Sequence, residues 1–145
     1  TLKRQLQSIF EQKRMEEELM NLVNVSALRR FLNMPLVRRM QEAANRGRLY
    51  KEKPFVMGKP AREVLEESDS DEMMLIQGII DVFFEEADGI VLLDYKTDRV
   101  ETGNELSERY KRQMELYQEA IERALGKPVK ERILYSFCLG EAVWV

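Results

Sequence analysis

Two apolar runs separated by a short turn constrain this chain more than any other feature. Met74 to Phe84 is rich in Ile, Val and Phe, Ala87-Asp88-Gly89 is turn sequence, and Ile90 to Thr97 is the return. Runs of this length and composition form strands, and a turn this short makes them antiparallel neighbours. Alternate side chains of a strand share a face. Asp94 and Lys96 therefore lie together with Ile90 and Leu92, and Asp81 falls in the set Gln77, Ile79, Asp81, Phe83. A two-residue loop at Asp88-Gly89 sets Asp81 against Lys96, and a four-residue loop sets it against Asp94. Either even-length loop brings all three charged groups to one face; an odd loop without a bulge separates them.

Two carboxylates on one face of an apolar hairpin repel each other, and burial disfavours their charged forms. A hard divalent cation relieves both penalties, because Mg²⁺ takes oxygen ligands and keeps waters that a phosphate can replace. An ammonium beside such a cation suits phosphodiester hydrolysis: it orients the attacking water or stabilises charge at phosphorus. The spacing alone fits equally an ordinary cross-strand pair of Asp81 and Lys96.

The chain has no histidine, which removes every Ser-His, Cys-His and histidine-metal scheme. Hydrolysis here must run on carboxylates, lysine and an oxygen-ligated cation. Cys138 is the one cysteine, so neither a disulfide framework nor a cysteine-ligated zinc or iron–sulfur cluster forms within the chain, and a reducing, cytoplasmic setting is the simplest reading. No apolar run reaches the length of a membrane span. Net charge is −3, yet ten Lys/Arg between Arg29 and Arg62 face only Glu42 and Glu52. That segment is +8, leaving −11 for the rest; it reads either as a track for a phosphate backbone or as a solvated helix face.

Around the hairpin the pattern is mixed. Apolar residues at three- and four-residue spacing (Leu2, Leu6, Phe10, Met15, Leu19, Leu22) predict a helix over residues 1 to 23. Ser26 is a candidate N-cap for a short helix with Phe31 and Leu32, and Pro35 opens another that ends near Gly47. Tyr50 to Met57 is extended, and residues 66–72 are an acidic loop. Thr102 to Glu105 is a capping box, with Ser107 a second N-cap candidate, ahead of a helix lined by Tyr110, Met114, Tyr117 and Ile121 that stops at Gly126. Ile133 to Cys138 and Ala142 to Val145 are the last strands. Helices, three strands, a helix and two strands make an α/β domain with a mixed sheet.

Four elements in order carry a resemblance. Gly78-Ile-Ile-Asp81 followed by Leu93-Asp94-Tyr95-Lys96-Thr97-Asp98-Arg99 resembles the nuclease signature of the RecB family within the PD-(D/E)XK superfamily. Glu52-Lys53-Pro54-Phe55 sits where that family carries its Arg-Glu-x-Pro-Phe strand, and Gln113-Met-Glu-Leu-Tyr117 is similar to its Gln-x-x-x-Tyr helix. The resemblance runs from about Glu52 to Val145 and is closest to the nuclease domains of AddAB-type recombination helicase–nucleases. It implies a restriction-endonuclease-like mixed sheet flanked by helices. It divides residues 1–145 into a helical part at 1–49 and a nuclease core at 50–145. Asp81, Asp94 and the Tyr95 backbone carbonyl become metal ligands, for Mg²⁺ with Mn²⁺ as an alternative. Lys96 becomes the catalytic lysine and Glu52 an auxiliary acid, though an exposed strand-edge glutamate describes Glu52 as well. Gln113 and Tyr117 become a site wall near DNA, although core packing also accounts for Tyr117. Asp98 completes the motif, or simply caps the strand end.

The resemblance implies a Mg²⁺-dependent DNA exonuclease domain, fed a single-stranded end by helicase domains of the same parent chain. An AddB-type partner subunit would assist it in double-strand-break repair and recombination, with no membrane involved. The family's Gly-Thr-x-x-His element is missing, and the chain starts at Thr1 inside a helical pattern. The sequence therefore reads as a fragment whose histidine ligand lies upstream, with weak cleavage expected of the fragment alone. Against this stand a catalytically inactive nuclease-fold module that binds DNA or a partner subunit, and a standalone relative such as a phage exonuclease. The intact Asp81, Asp94 and Lys96 weigh against the former.

Overall fold

The computed structural model describes residues 4, 5, 7–9 and 25–145. Residues 4, 5 and 7–9 are helical, with Ile9 packed on the core; the rest of the helix expected over residues 1 to 23 lies outside the described residues. Helices α1 (Val25–Leu32) and α2 (Pro35–Asn45) precede strand β1 (Leu49–Pro60), the short helix α3 (Ala61–Val64), and strands β2 (Met73–Glu86) and β3 (Gly89–Lys96). Helix α4 (Gly103–Leu125) and strands β4 (Val129–Ser136) and β5 (Glu141–Trp144) complete the chain. Pro35 stands at the start of α2, where its missing N–H costs nothing. Ser26 falls inside α1 rather than ahead of it. Thr102 caps α4 by accepting the Glu105 N–H at 3.2 Å, and the expected stop at Gly126 is a left-handed residue at φ 66°.

The five strands form one sheet in the order β1-β2-β3-β4-β5. Only β3 and β4 are parallel, joined by the crossover through α4 that a parallel pair requires. Helices cover both faces. On one side Phe31, Leu36, Val37 and Met40 pack on Val82, Phe84, Val91, Leu93, Tyr95 and Tyr135. On the other, Leu106, Met114, Tyr117 and Ile121 pack on Ile80, Phe83, Ile90, Leu92 and Leu134. Residues 90–95 are thus buried on both faces, which is why the sequence there is almost continuously apolar.

The hairpin register pairs Glu86 with Gly89, Phe83 with Leu92 and Val82 with Leu93. Only Ala87 and Asp88 stand outside the ladder, so the turn is two residues long but sits one residue earlier than Asp88-Gly89. This tight turn yields the register that sets Asp81 toward Asp94, which the sequence pattern ties to a longer loop.

Arg39 of α2 clamps the sheet from outside, reaching Glu86 at 2.7 and 3.0 Å and Glu131 at 2.5 Å. Its hydrogen bonds hold the Glu86 carboxyl down to about 2 against the opposing effect of burial, with Lys130 assisting. A carboxyl depressed in the folded state adds stability above its ordinary value of 4.5 that is lost as pH falls toward 2. Urea midpoints of the wild type should therefore drop between pH 4.5 and 2, and Glu86→Gln should flatten that drop. Parallel pH profiles for the two proteins would show that the clamp contributes nothing.

Candidate active site

The three charged groups meet where the sheet splits. The β2–β3 ladder stops at Val82 and Leu93, while β2 stays with β1 as far as Met73 and β3 stays with β4 as far as Lys96. Asp81 and Asp94 are the next residues on the two diverging strands. Asp81 Oδ2 accepts the Tyr95 N–H at 3.0 Å, so a side chain serves the backbone donor that β2 no longer reaches. Successive strand residues turn their backbone groups to opposite edges. The Lys96 carbonyl accepts the Phe137 N–H on the β4 side, so the Tyr95 carbonyl points with its own N–H into the fork.

The alternation of β2 breaks at the same point. Ile80 and Phe83 both pack toward α4, and Gly78 abuts the Phe55 and Tyr117 rings, whereas Ile79 is 59% and Leu75 72% exposed. The expectation that Gln77, Ile79, Asp81 and Phe83 share a face is therefore wrong for Ile79 and Gln77. The physical cause lies opposite Asp81. Glu52 drops out of the ladder between Lys51↔Val82 and Lys53↔Ile80, with φ at 50°. A left-handed glutamate inside a strand twists the β1–β2 ribbon locally, and strain of this kind concentrates at functional sites.

Lys96 is held from three directions. Its ammonium lies 2.7 Å from Asp94 Oδ2, donates to Gln113 Oε1 at 2.9 Å, and sits 3.8 Å above the Tyr110 ring centroid. Asp94 itself is only 3% exposed. Tyr117 packs edge-on against Phe55 at 5.4 Å, and its hydroxyl is pushed up to about 12 by burial and then by Asp94 and Asp81. Glu52 does not join them: its side chain is exposed, and among the described residues no three acidic groups form a set that could hold a metal ion. The donors at the fork are two carboxylates and one carbonyl, all hard oxygens. That chemistry fits Mg²⁺, which needs few protein ligands and fills the rest with water or phosphate.

Asp98, Arg109 and Tyr110 do more than the sequence pattern alone suggests. Asp98 accepts the Tyr110 hydroxyl at 2.7 Å and pairs with Arg109 at 2.8 Å, tying the end of β3 to α4. The available signal was spacing, since Tyr110, Gln113 and Tyr117 share one helix face. The basic run is partly spent within the molecule: Arg39, Arg48, Lys59 and Arg62 are in ion pairs. A surface hollow of about 680 Å³, lined by Arg46, Arg48, Glu85 and Lys127, lies at the turn end of the hairpin, away from the fork.

A mixed five-stranded sheet between helices, with an aspartate on one strand and Asp-x-Lys on the next where the two part, is consistent with a restriction-endonuclease-like fold. The chain belongs to the PD-(D/E)XK nuclease superfamily, whose family model matches residues 1–141. It is 39% identical over 163 residues to a subunit of the ATP-dependent helicase/nuclease of Lachnoclostridium phytofermentans, covering 88% of this chain and 12% of that protein. It is 40% identical over 144 residues to the protein of the same name from Thermoanaerobacter sp., covering 96% of this chain and 11% of the relative. The ATP-dependent helicase/nuclease protein of the same name from Clostridium botulinum is 39% identical over 140 residues, 94% of this chain and 11% of the relative. The chain thus spans only about a ninth of the length of these relatives.

Gly78 supplies a test of how tightly the fork is backed. A Cβ there would stand 2.7 and 3.0 Å from the Phe55 ring, which itself leans on Tyr117. Gly78→Ala should destabilise the fold by about 1–3 kcal/mol in urea denaturation, the usual range for overpacking. Unchanged stability would mean that the Phe55 ring moves aside freely.

Proposed function

We propose that this chain is the nuclease module of an ATP-dependent helicase–nuclease and hydrolyses DNA phosphodiesters at the fork between β2 and β3. The observation that carries this reading is the Lys96 ammonium, fixed by Asp94 at 2.7 Å and Gln113 at 2.9 Å beside a second carboxylate, Asp81. Asp81, Asp94 and the Tyr95 carbonyl would hold Mg²⁺, or Mn²⁺ in its place. The bound cation would supply charge neutralisation at the scissile phosphate and a more acidic water. Lys96 directs its ammonium to the same opening, where it orients the water or stabilises the negative charge that builds at phosphorus. Gln113 sets the height of that ammonium, and Tyr117 closes the wall behind it. Glu52, on β1 across from Asp81 with its side chain in solvent, is at most an auxiliary acid outside this set.

The substrate in this reading is a single-stranded end from unwound duplex, in keeping with the helicase/nuclease names of the relatives. Helicase domains of the same parent chain would deliver it, with an AddB-type partner subunit, in cytoplasmic double-strand-break repair and recombination. Strand contact falls to surface cations and weakens with salt. No helix among the described residues is long and apolar enough to cross a membrane.

Calorimetric Mn²⁺ binding and single-stranded DNA cleavage, run on the same preparations, test the assignment. Asp94→Ala should lose metal binding and cut at least about a hundredfold more slowly, roughly the loss seen when a main electrostatic group is removed. Lys96→Ala should lose cleavage while keeping Mn²⁺, because its ammonium is not a ligand. An Asp94→Ala variant that binds Mn²⁺ and cuts like the wild type would overturn the site. Equal loss of binding and cleavage in Lys96→Ala would leave Lys96 a structural partner of Asp94.

A further inference from the structure

We propose that Tyr110, braced by Asp98, is a positioning residue that fixes the Lys96 ammonium over the fork. The inference rests on the reading of Lys96 as the working cation of this site. Lys96 Nζ lies 3.8 Å from the centroid of the Tyr110 ring. At that distance the negative face of the ring attracts an ammonium, more strongly where water is excluded, and the Lys96 side chain is only 14% exposed. A lysine carries four rotatable bonds, and holding them in one arrangement has an entropic cost. The charged partner Asp94 is also a proposed cation ligand, so its attraction for Lys96 is shared once a cation is bound. Tyr110 and Gln113 are uncharged. They can keep the ammonium in place beside a divalent cation without competing for that cation.

The ring is held as firmly as the lysine. Asp98 Oδ2 accepts the Tyr110 hydroxyl at 2.7 Å, and the same oxygen takes Arg109 at 2.8 Å. Asp98 is two residues beyond Lys96, so one strand end supplies both the ammonium and the anchor of the ring beneath it. The hydrogen bond to a carboxylate also enriches the phenol oxygen and thereby the ring face. Arg109, bonded in addition to Glu105 at 3.2 Å, balances the Asp98 charge so that it does not draw Lys96 away from the fork.

Ring placement has a signature independent of activity. The ε-methylene protons of Lys96, held against an aromatic face, should resonate upfield of ordinary lysines in NMR spectra of the folded chain. Tyr110→Phe should keep that shift and most of kcat. Tyr110→Leu should abolish the shift and lower kcat roughly tenfold, the order a desolvated cation–π contact supplies, with KM for DNA and Mn²⁺ affinity essentially unchanged. Asp98→Asn should fall between them. A Lys96 shift that survives Tyr110→Leu, or equal losses in Tyr110→Phe and Tyr110→Leu, would overturn the proposal. A wild type that shows the shift and loses it in Tyr110→Leu, yet cuts no DNA with Mn²⁺ bound, would remove the nuclease reading and leave the placement of Lys96 by Tyr110 standing.

Discussion

Asp81 accepts the Tyr95 N–H, and this one hydrogen bond lets β2 leave β3 without stranding a backbone donor in the interior. Past Val82 and Leu93 the two strands go separate ways, and the charged groups of the candidate site sit at their parting. The split frees the edge of β3 at Tyr95 from β2, with Asp94 buried beside it and Lys96 next along the strand. A continuous ladder would have paired these backbone groups and left no room for a cation or a phosphate. The left-handed Glu52, directly across from Asp81, helps bend the β1–β2 ribbon away.

Charge at the fork is managed largely by neutral neighbours. Asp94 pairs with Lys96, Asp81 takes the adjacent Tyr95 N–H, and α4 brings the uncharged Gln113 and Tyr110 to the ammonium. A second full positive charge there would neutralise the carboxylates permanently and compete with a divalent cation. The Gln113 amide oxygen and the Tyr110 ring face instead hold Lys96 without adding positive charge. Arg39 and Arg48 pair with Glu86 and Glu85 at the far end of the hairpin, whereas Arg109 at the fork end is taken up by Asp98 and Glu105.

Much of this was legible in the sequence because the hairpin is short and its central strand is buried on both faces. Val91, Leu93 and Tyr95 fill one core while Ile90 and Leu92 fill the other, so the run from Ile90 could only be an interior strand. Parity then fixed Asp94 and Lys96 together, and Thr102 and Gly126 marked the ends of α4. Parity failed on β2, since the Glu52 backbone reverses the alternation between Ile80 and Phe83, and no propensity scale anticipates a left-handed glutamate inside a strand. Asp98 looks like an end cap in the sequence because its partners, Arg109 and Tyr110, come from a helix whose rotation about its axis only tertiary packing sets. The basic run from Arg29 to Arg62 suggested a phosphate track, but four of its members meet acids distant in sequence or beyond the run.

The proposed chemistry stands or falls on whether the fork between β2 and β3 binds a divalent cation through Asp81, Asp94 and the Tyr95 carbonyl. Anomalous diffraction from crystals soaked in Mn²⁺ tests this most directly. A peak is expected between the two carboxylates, within bonding distance of both and of the carbonyl, with Lys96 still over the Tyr110 ring. A peak at Glu52 or at the acidic loop of residues 66–72, with none at the fork and the Asp94–Lys96 pair undisturbed, would contradict it.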